Sequence, residues 1–141
     1  MSDTRADALP GYTIVITGAP YVSQAPATAF AFCCALLDSG HAVDGVFLYG
    51  DGVALASALN TPPPDETNWT TRWQELLVAN RIPAVACIAS ALRRGLLNEQ
   101  EARRYERPVA NLNQGFTIAG LGEWVGAVTT SDRIIYFHGG A

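Results

Sequence analysis

Cys87 combines a reactive atom with a chain position at which thiols can be activated. Residues 84–88 form a short apolar run typical of a buried strand, and residues 89–95 follow it with a helix-favouring composition. A cysteine between a strand and a helix faces the amino terminus of that helix, whose free N–H groups stabilise a thiolate. Open α/β sheets also place their clefts at the carboxyl ends of strands. Position alone leaves two interpretations of Cys87 open, a nucleophile and a small core residue.

The other candidate nucleophiles and bases are less well placed. Cys33 and Cys34 lie in an apolar stretch that we expect to be helical. Neighbouring side chains on a helix point in different directions, so we interpret both as core residues rather than as a disulfide or a metal pair. His41 and His138 form no recognisable base–nucleophile pattern with Cys87, which does not favour a Cys–His hydrolase. Sulfur exchange requires only the thiolate.

Two arginines follow Cys87 on the same predicted helix. Two interpretations of Arg93 and Arg94 remain open. In the first, they supply positive potential to an anionic partner or to a persulfide. In the second, they only stabilise the helix end and contact solvent. All nine basic residues are arginine, which excludes lysine Schiff-base chemistry and a P-loop lysine. The turn at residues 18–21 lacks the G-x-G-x-x-G pattern, and its proline removes an N–H that a phosphate would need. We therefore expect no nucleotide cofactor, and no acidic spacing indicates a metal.

Length and composition are those of one ordinary domain. The chain has 141 residues, of which 49% are hydrophobic and 16% charged. A net charge of −4 argues against a direct nucleic-acid footprint. The polar residues 1–10 are unlike a signal peptide, and no apolar run is long enough to cross a bilayer. Three cysteines without a C-x-x-C pair do not make a disulfide framework. We expect a cytoplasmic protein with reduced thiols.

Strand and helix patterns alternate along the chain. Strands are predicted at residues 12–17, 43–49, the run ending at Cys87, and 133–137. Helices are predicted at residues 24–39, 53–59 (capped by Asp51), 69–80, 98–105 (from a capping box at Asn98) and 118–128. This alternation predicts an α/β fold, a single-domain parallel β-sheet flanked by helices on both faces with flavodoxin- or Rossmann-like layering. We expect residues 1–10 to be a flexible amino-terminal extension and residues 11–141 to be the domain.

The order of several short motifs resembles one known family. Along nearly all of residues 11–137 the chain is similar to the DsrE/TusD proteins, small cytoplasmic subunits of sulfur relays. The segment from Cys87 to Gly95 is the most specific match. The other matching pieces are residues 17–21 with Gln24, residues 40–41, 46–49, 51–53, 61–63, 72–73, 111–116, 120–122 and 132–133.

The resemblance implies a role for Cys87 and for its surroundings. In such proteins the matching cysteine accepts a sulfane sulfur as a persulfide and passes it to the next carrier. The sulfur is then carried covalently, so that no separate cofactor and no metal is expected. We expect Arg93, Arg94 and Tyr21 to be supporting residues near the thiol.

The resemblance also implies partners and a pathway. The family's setting is a heterohexamer with homologous subunits of the same fold, TusB/TusC-like or DsrF/DsrH-like, together with an upstream persulfide donor and a TusE/DsrC-like acceptor. No direct nucleic acid and no membrane partner are expected. The relay serves 2-thiouridine formation in tRNA or dissimilatory sulfur oxidation, and residues 113–116 resemble the TusD pattern of the tRNA branch. The alternative from another class of function is a non-catalytic assembly subunit, in which Cys87 is only a packed residue.

Overall fold

Five parallel strands form the sheet of the computed structural model, which describes residues 9–120, 122, 124, 126 and 130–139. Every pair of neighbouring strands is parallel, and the order across the sheet is β4-β3-β2-β1-β5. The predicted α/β class with a parallel sheet is confirmed. The strands are β1 (Gly11–Ile16), β2 (Ala42–Leu48), β3 (Ala84–Cys87), β4 (Thr117–Ala119) and β5 (Arg133–Phe137).

Helices connect the strands, as parallel pairing requires. They are α1 (Ala25–Asp38), a 3-10 helix (Gly50–Ala56), α2 (Trp69–Ala79), α3 (Ile88–Arg93) and α4 (Glu99–Arg104). Within the described part of the chain, no helix is long and apolar enough to cross a membrane. The predicted cap at Asn98 is present, because its side chain accepts a hydrogen bond from the Glu101 amide at 2.8 Å.

One face of the sheet packs against α1 and α2 and holds most of the core. Trp73 of α2 is fully buried, and its indole N–H donates to the Pro26 carbonyl in the first turn of α1 at 3.0 Å. The Phe30 ring meets the Trp73 ring edge to face, with centroids 5.5 Å apart. The buried strand residues of this cluster alternate along each strand, as expected for one face of a pleated sheet; they include Ile14, Ile16, Val46, Leu48, Ala84 and Ala86.

The opposite face carries the alternate residues of the same strands. Val15 pairs with Phe47 in the register of β1 and β2, and Phe47 pairs with Val85 of β3. Val15, Phe47 and Cys87 form a second buried cluster, against which Val85, Trp124 and Ile134 pack. The chain therefore has two layers of core, and Cys87 belongs to the smaller one.

The segment after residue 116 differs from its prediction. We expected a helix over residues 118–128, but Ile118 and Ala119 belong to β4, which pairs with β3. Residues 122, 124 and 126 are helical, and residues 121, 123, 125, 127 and 128 of the predicted span lie outside the described residues. Three residues are too few for a strand pattern to show in sequence, so only the pairing with β3 reveals β4.

The 3-10 helix lies directly against the end of β1, and Gly52 makes this close approach possible. A Cβ atom at Gly52 would overlap the carbonyl oxygen of Ile16. We predict that Gly52→Ala lowers the free energy of unfolding by about 1–3 kcal/mol, because the backbone must shift to admit the methyl group. Gly120→Ala is the matched control, since no described atom lies within 4 Å of a Cβ there. Urea unfolding that finds the two variants equally stable would contradict this packing.

Candidate functional site

Cys87 lies at the junction between a strand and a helix, as the sequence predicted. It is the last residue of β3 and occupies the N-cap position of α3, with φ −58° and ψ 125°. The free N–H groups of the first turn of α3 start immediately after it. Its own side chain makes no capping hydrogen bond, so the sulfur is not engaged in holding the helix end.

Apolar side chains form the wall beside Cys87. Phe47 and Val15 are buried with it, and the Trp124 ring packs on the Phe47 ring with centroids 5.6 Å apart. In the register of β3 and β4, Cys87 lies opposite Ala119, which has a small side chain. Cys87 exposes only 4% of its surface. A reacting sulfur must therefore enter from the carboxyl edge of the sheet or displace a covering side chain.

Two polar contacts fix α3 against the chain that follows β2. Ser90, which is 4% exposed, accepts a hydrogen bond at its Oγ from the Gly50 amide at 3.0 Å. Arg94 donates from Nε to Asp51 Oδ1 at 2.9 Å and from Nη1 to the Ser90 carbonyl at 3.1 Å. We call this set the α3 clamp. Because α3 begins at Cys87, the clamp also fixes the direction in which the strand turns into the helix.

The α3 clamp corrects the role that the sequence predicted for Asp51. We expected this carboxylate to cap the helix that follows it. Instead Tyr49 is the N-cap of the 3-10 helix, without a side-chain capping bond, and Asp51 pairs with Arg94. An arginine 43 positions away in sequence is a partner that no local pattern indicates.

The three predicted supporting residues occupy different surroundings. Arg94 belongs to the α3 clamp, and Arg93 is exposed in the last turn of α3 without an ion pair among the described residues. Tyr21 lies in the loop after β1. Its hydroxyl donates to the Thr67 carbonyl at 2.8 Å and accepts from the Trp69 amide at 3.1 Å. No hydrogen bond or ion pair of the described residues joins any of the three directly to Cys87.

The backbone of Tyr21 also adopts an unusual conformation. Its φ of 71° lies in the left-handed region, which a residue with a bulky side chain rarely adopts. The two hydrogen bonds of its hydroxyl hold the loop after β1 against the start of α2. Loops after parallel strands gather at the carboxyl edge of the sheet. Tyr21 and Cys87 therefore belong to the same edge of the molecule.

The remaining cysteines are free thiols with other environments. Cys33 is fully buried in α1, and burial, followed by the neighbouring Cys34, raises the pKa of its thiol to about 12. A thiol with this pKa remains protonated near neutral pH and is a poor nucleophile. Cys33 packs among core residues, which agrees with its interpretation from the sequence as a core residue. Cys34 is partly exposed on the same helix.

Both histidines have partners away from Cys87. His41 Nδ1 lies 3.1 Å from the Pro10 carbonyl oxygen, and its ring meets Tyr12 edge to face. His138 Nδ1 lies 3.2 Å from Thr17 Oγ1 and its ring stacks on Tyr136. No hydrogen bond of the described residues joins either imidazole to Cys87, so the described contacts contain no Cys–His pair of the kind a hydrolase uses.

Sequence reasoning missed Ser90, Gly50 and Trp124. Ser90 lies among small residues, and only its contact with the Gly50 amide distinguishes it from a packing residue. Trp124 lies within residues 118–128, for which the sequence predicted a helix. The sequence did not indicate which strands that helix would cover. Among the described residues, no three His, Cys, Asp or Glu side chains are grouped so that they could hold a metal ion.

This arrangement is that of a small α/β domain in which one of the three cysteines lies at a strand-to-helix junction. Comparison with known proteins agrees with this class. The DsrE/DsrF-like family matches residues 11–137, and the chain belongs to that family.

Individual relatives make the assignment more specific. The chain is 42% identical over 126 residues to the proteins named sulfurtransferase TusD from Salmonella dublin and from Salmonella enteritidis, and 41% identical to that from Salmonella paratyphi B. These alignments cover 89% of this chain and 98% of each relative. The class predicted from the sequence, a sulfurtransferase with a sulfur-relay function, is confirmed.

A solved structure supports the fold. The crystal structure of the ychN protein from E. coli superposes with a TM-score of 0.73, covering 92% of this chain and 100% of the other. The sequence identity between them is 23%, so this likeness bears on the architecture alone.

Proposed function

We propose that Cys87 is the residue that carries sulfur in this chain, as a persulfide. The observation on which this rests is the position of Cys87, at the carboxyl end of β3 and at the N-cap of α3, in a member of the DsrE/DsrF-like family. Cys33 is buried with a raised pKa, and no histidine is paired with Cys87 among the described contacts. The chemistry that fits is exchange of sulfane sulfur between thiols.

The exchange balances in two steps without an added oxidant or reductant. The Cys87 thiolate attacks the outer sulfur of a donor persulfide, the donor's S–S bond breaks, and the donor leaves as a thiolate. An acceptor thiolate then attacks the outer sulfur of Cys87–S–SH, the new S–S bond breaks, and the Cys87 thiolate is released. Each step conserves the number of electrons. Its rate depends on the fraction of the attacking thiol that is deprotonated and on access to the sulfur that is attacked.

The surroundings of Cys87 suit an anionic sulfur that must be protected. The N–H groups of the first turn of a helix lie beside its N-cap residue, which in α3 is Cys87. Arg94 lies at the opposite end of α3, where it pairs with Asp51, and is proposed to act through the α3 clamp. Val15 and Phe47 are buried in one cluster with Cys87 and exclude water from that side of the thiol. Arg93 and Tyr21 are proposed to contribute at the rim, the first through charge and the second through the shape of the loop after β1.

Loading with sulfur tests the assignment directly. Incubation with a low-molecular-weight persulfide donor should add the mass of one sulfur to the peptide that contains Cys87, and Cys87→Ser should abolish this addition. Cys34→Ser is the matched control, because Cys34 is partly exposed yet lies away from the strand-to-helix junction. Mass spectrometry that finds Cys87→Ser loaded as fully as the parent protein would refute the proposal.

The low exposure of Cys87 favours one alternative, a non-catalytic assembly subunit. In that case the 4% exposed thiol is a packing residue. The same loading experiment separates the two, because an assembly subunit would take up no sulfur at Cys87.

The partners and the pathway that the family resemblance implies are proposals for this chain. We propose a heterohexamer with homologous subunits of the same fold, an upstream persulfide donor and a TusE/DsrC-like acceptor, in the cytoplasm, where thiols remain reduced. The chain's negative net charge fits a subunit that hands sulfur to a protein and leaves contact with tRNA to a later carrier.

The proposed destination of the sulfur is 2-thiouridine in tRNA, because the similar curated proteins carry the name TusD. Deleting the gene should remove most 2-thiouridine from hydrolysed tRNA, and a plasmid copy with Cys87→Ser should fail to restore it. Quantification of modified nucleosides by mass spectrometry measures both. Unchanged 2-thiouridine after deletion would place the chain in another pathway, such as dissimilatory sulfur oxidation.

A further inference from the structure

We infer that the groove between α3 and α4 is the docking site for an acidic and apolar segment of the protein with which Cys87 exchanges sulfur. This inference rests on the proposed function, since it concerns the partner of the same thiol. The groove has a volume of about 480 Å³. It is lined by Leu92, Arg93, Gly95, Leu97, Tyr105 and Arg107.

Charge distribution is the first argument. Residues 93–107 contain five of the nine arginines and only three glutamates, although the whole chain has a net charge of −4. Arg94 and Arg104 have carboxylate partners, Asp51 and Glu101. The described ion pairs include neither of the two arginines that line the groove, and no acid is among its lining residues. This local positive charge is complementary to an acidic partner segment.

The apolar part of the groove is the second argument. Tyr105 is 50% exposed at the end of α4, and Leu92 is partly buried on α3. Tyrosine and arginine are enriched among the residues that dominate binding energy at protein interfaces, and both line this groove. A segment that alternates acidic and apolar side chains would satisfy both the charges and the apolar surface.

Hydrogen bonds fix the groove before any partner arrives. The Leu96 amide donates to the Ala91 carbonyl at 2.9 Å and closes the end of α3. The Leu97 amide donates to Asn111 Oδ1 at 2.8 Å. On the opposite side, the Arg107 amide donates to the Ala102 carbonyl at 2.8 Å. A preformed groove reduces the ordering cost of binding.

The groove is within reach of the thiol. Cys87 is the N-cap of α3 and Arg93 is its last residue, so six residues at about 1.5 Å of rise each separate the two ends by roughly 9 Å. About three residues of extended chain span that distance. A partner whose segment fills the groove can therefore present a cysteine to Cys87 through a short linker.

Peptide binding tests the docking site without depending on sulfur transfer. The probe is a fluorescent peptide of alternating glutamate and leucine, followed by a short glycine–serine spacer and a terminal serine, and its counterpart has glutamine for glutamate. Anisotropy should show tighter binding of the acidic peptide. Arg93→Gln with Arg107→Gln should raise its Kd by about tenfold at low salt, as expected for two exposed charge pairs. Added salt should reduce the difference.

The matched control is Arg81→Gln with Arg133→Gln, which removes two exposed arginines elsewhere. It should leave the Kd of the acidic peptide unchanged. Equal binding of the acidic and neutral peptides, or equal weakening by the control pair, would overturn the docking site. So would a change in oligomeric state on sedimentation of the Arg93/Arg107 variant, since a second copy of the chain would then occupy the groove.

A transfer assay separates this inference from the proposed function. Persulfide-loaded protein is mixed with the acidic peptide ending in cysteine, or with 2-mercaptoethanol. The Arg107→Gln variant should transfer sulfur to the peptide with a KM about threefold higher, as expected for one exposed charge pair, and an unchanged kcat. Its transfer to 2-mercaptoethanol should equal that of the parent. An equal slowing towards both acceptors would contradict the docking site, whereas a parent protein that never loads would contradict the persulfide itself.

Discussion

The hydrogen bond from the Gly50 amide to the buried Ser90 hydroxyl oxygen is the contact on which the placement of Cys87 depends. It joins the turn after β2 to the first turns of α3, and the pairing of Arg94 with Asp51 strengthens the same joint from the surface. Parallel register alone brings β3 beside β2. The clamp determines how α3 leaves the sheet, and therefore which backbone N–H groups lie next to the sulfur.

The placement of Cys87 also depends on the smaller core layer, which lies on the face of the sheet opposite the larger core. Cys87 is buried in one cluster with Val15 and Phe47, and the thiol exposes 4% of its surface. In the proposed relay, burial slows the exchange of sulfur at Cys87 with thiols in solution, because exchange rates depend on access. A partner positioned at the carboxyl edge would accelerate the proposed transfer, because it holds its own sulfur beside Cys87. The docking groove proposed at the far end of α3 would provide such positioning, and its arginines supply local positive charge in an acidic chain.

Features encoded by local pattern were predictable, and features that depend on distant contacts were not. The junction at Cys87 and the cap at Asn98 follow from neighbouring residues, and the structure shows both. β4 is three residues long and is defined by its pairing with β3, so the sequence suggested a helix instead. Asp51 looked like a cap because aspartate favours that position, yet its partner is 43 residues away. Burial of the thiol likewise depends on strands that are far apart in sequence.

The most direct measurement of the central claim is a single-turnover chase of labelled sulfur. Protein loaded with heavy-isotope sulfane sulfur is mixed with an acceptor thiol, quenched at intervals and analysed by mass spectrometry. We expect the label to leave Cys87 and to appear on the acceptor at the same rate, and that rate to be at least as fast as steady-state transfer. Label that remains on Cys87 while transfer proceeds, or transfer of undiminished rate by the Cys87→Ser protein, would contradict the account.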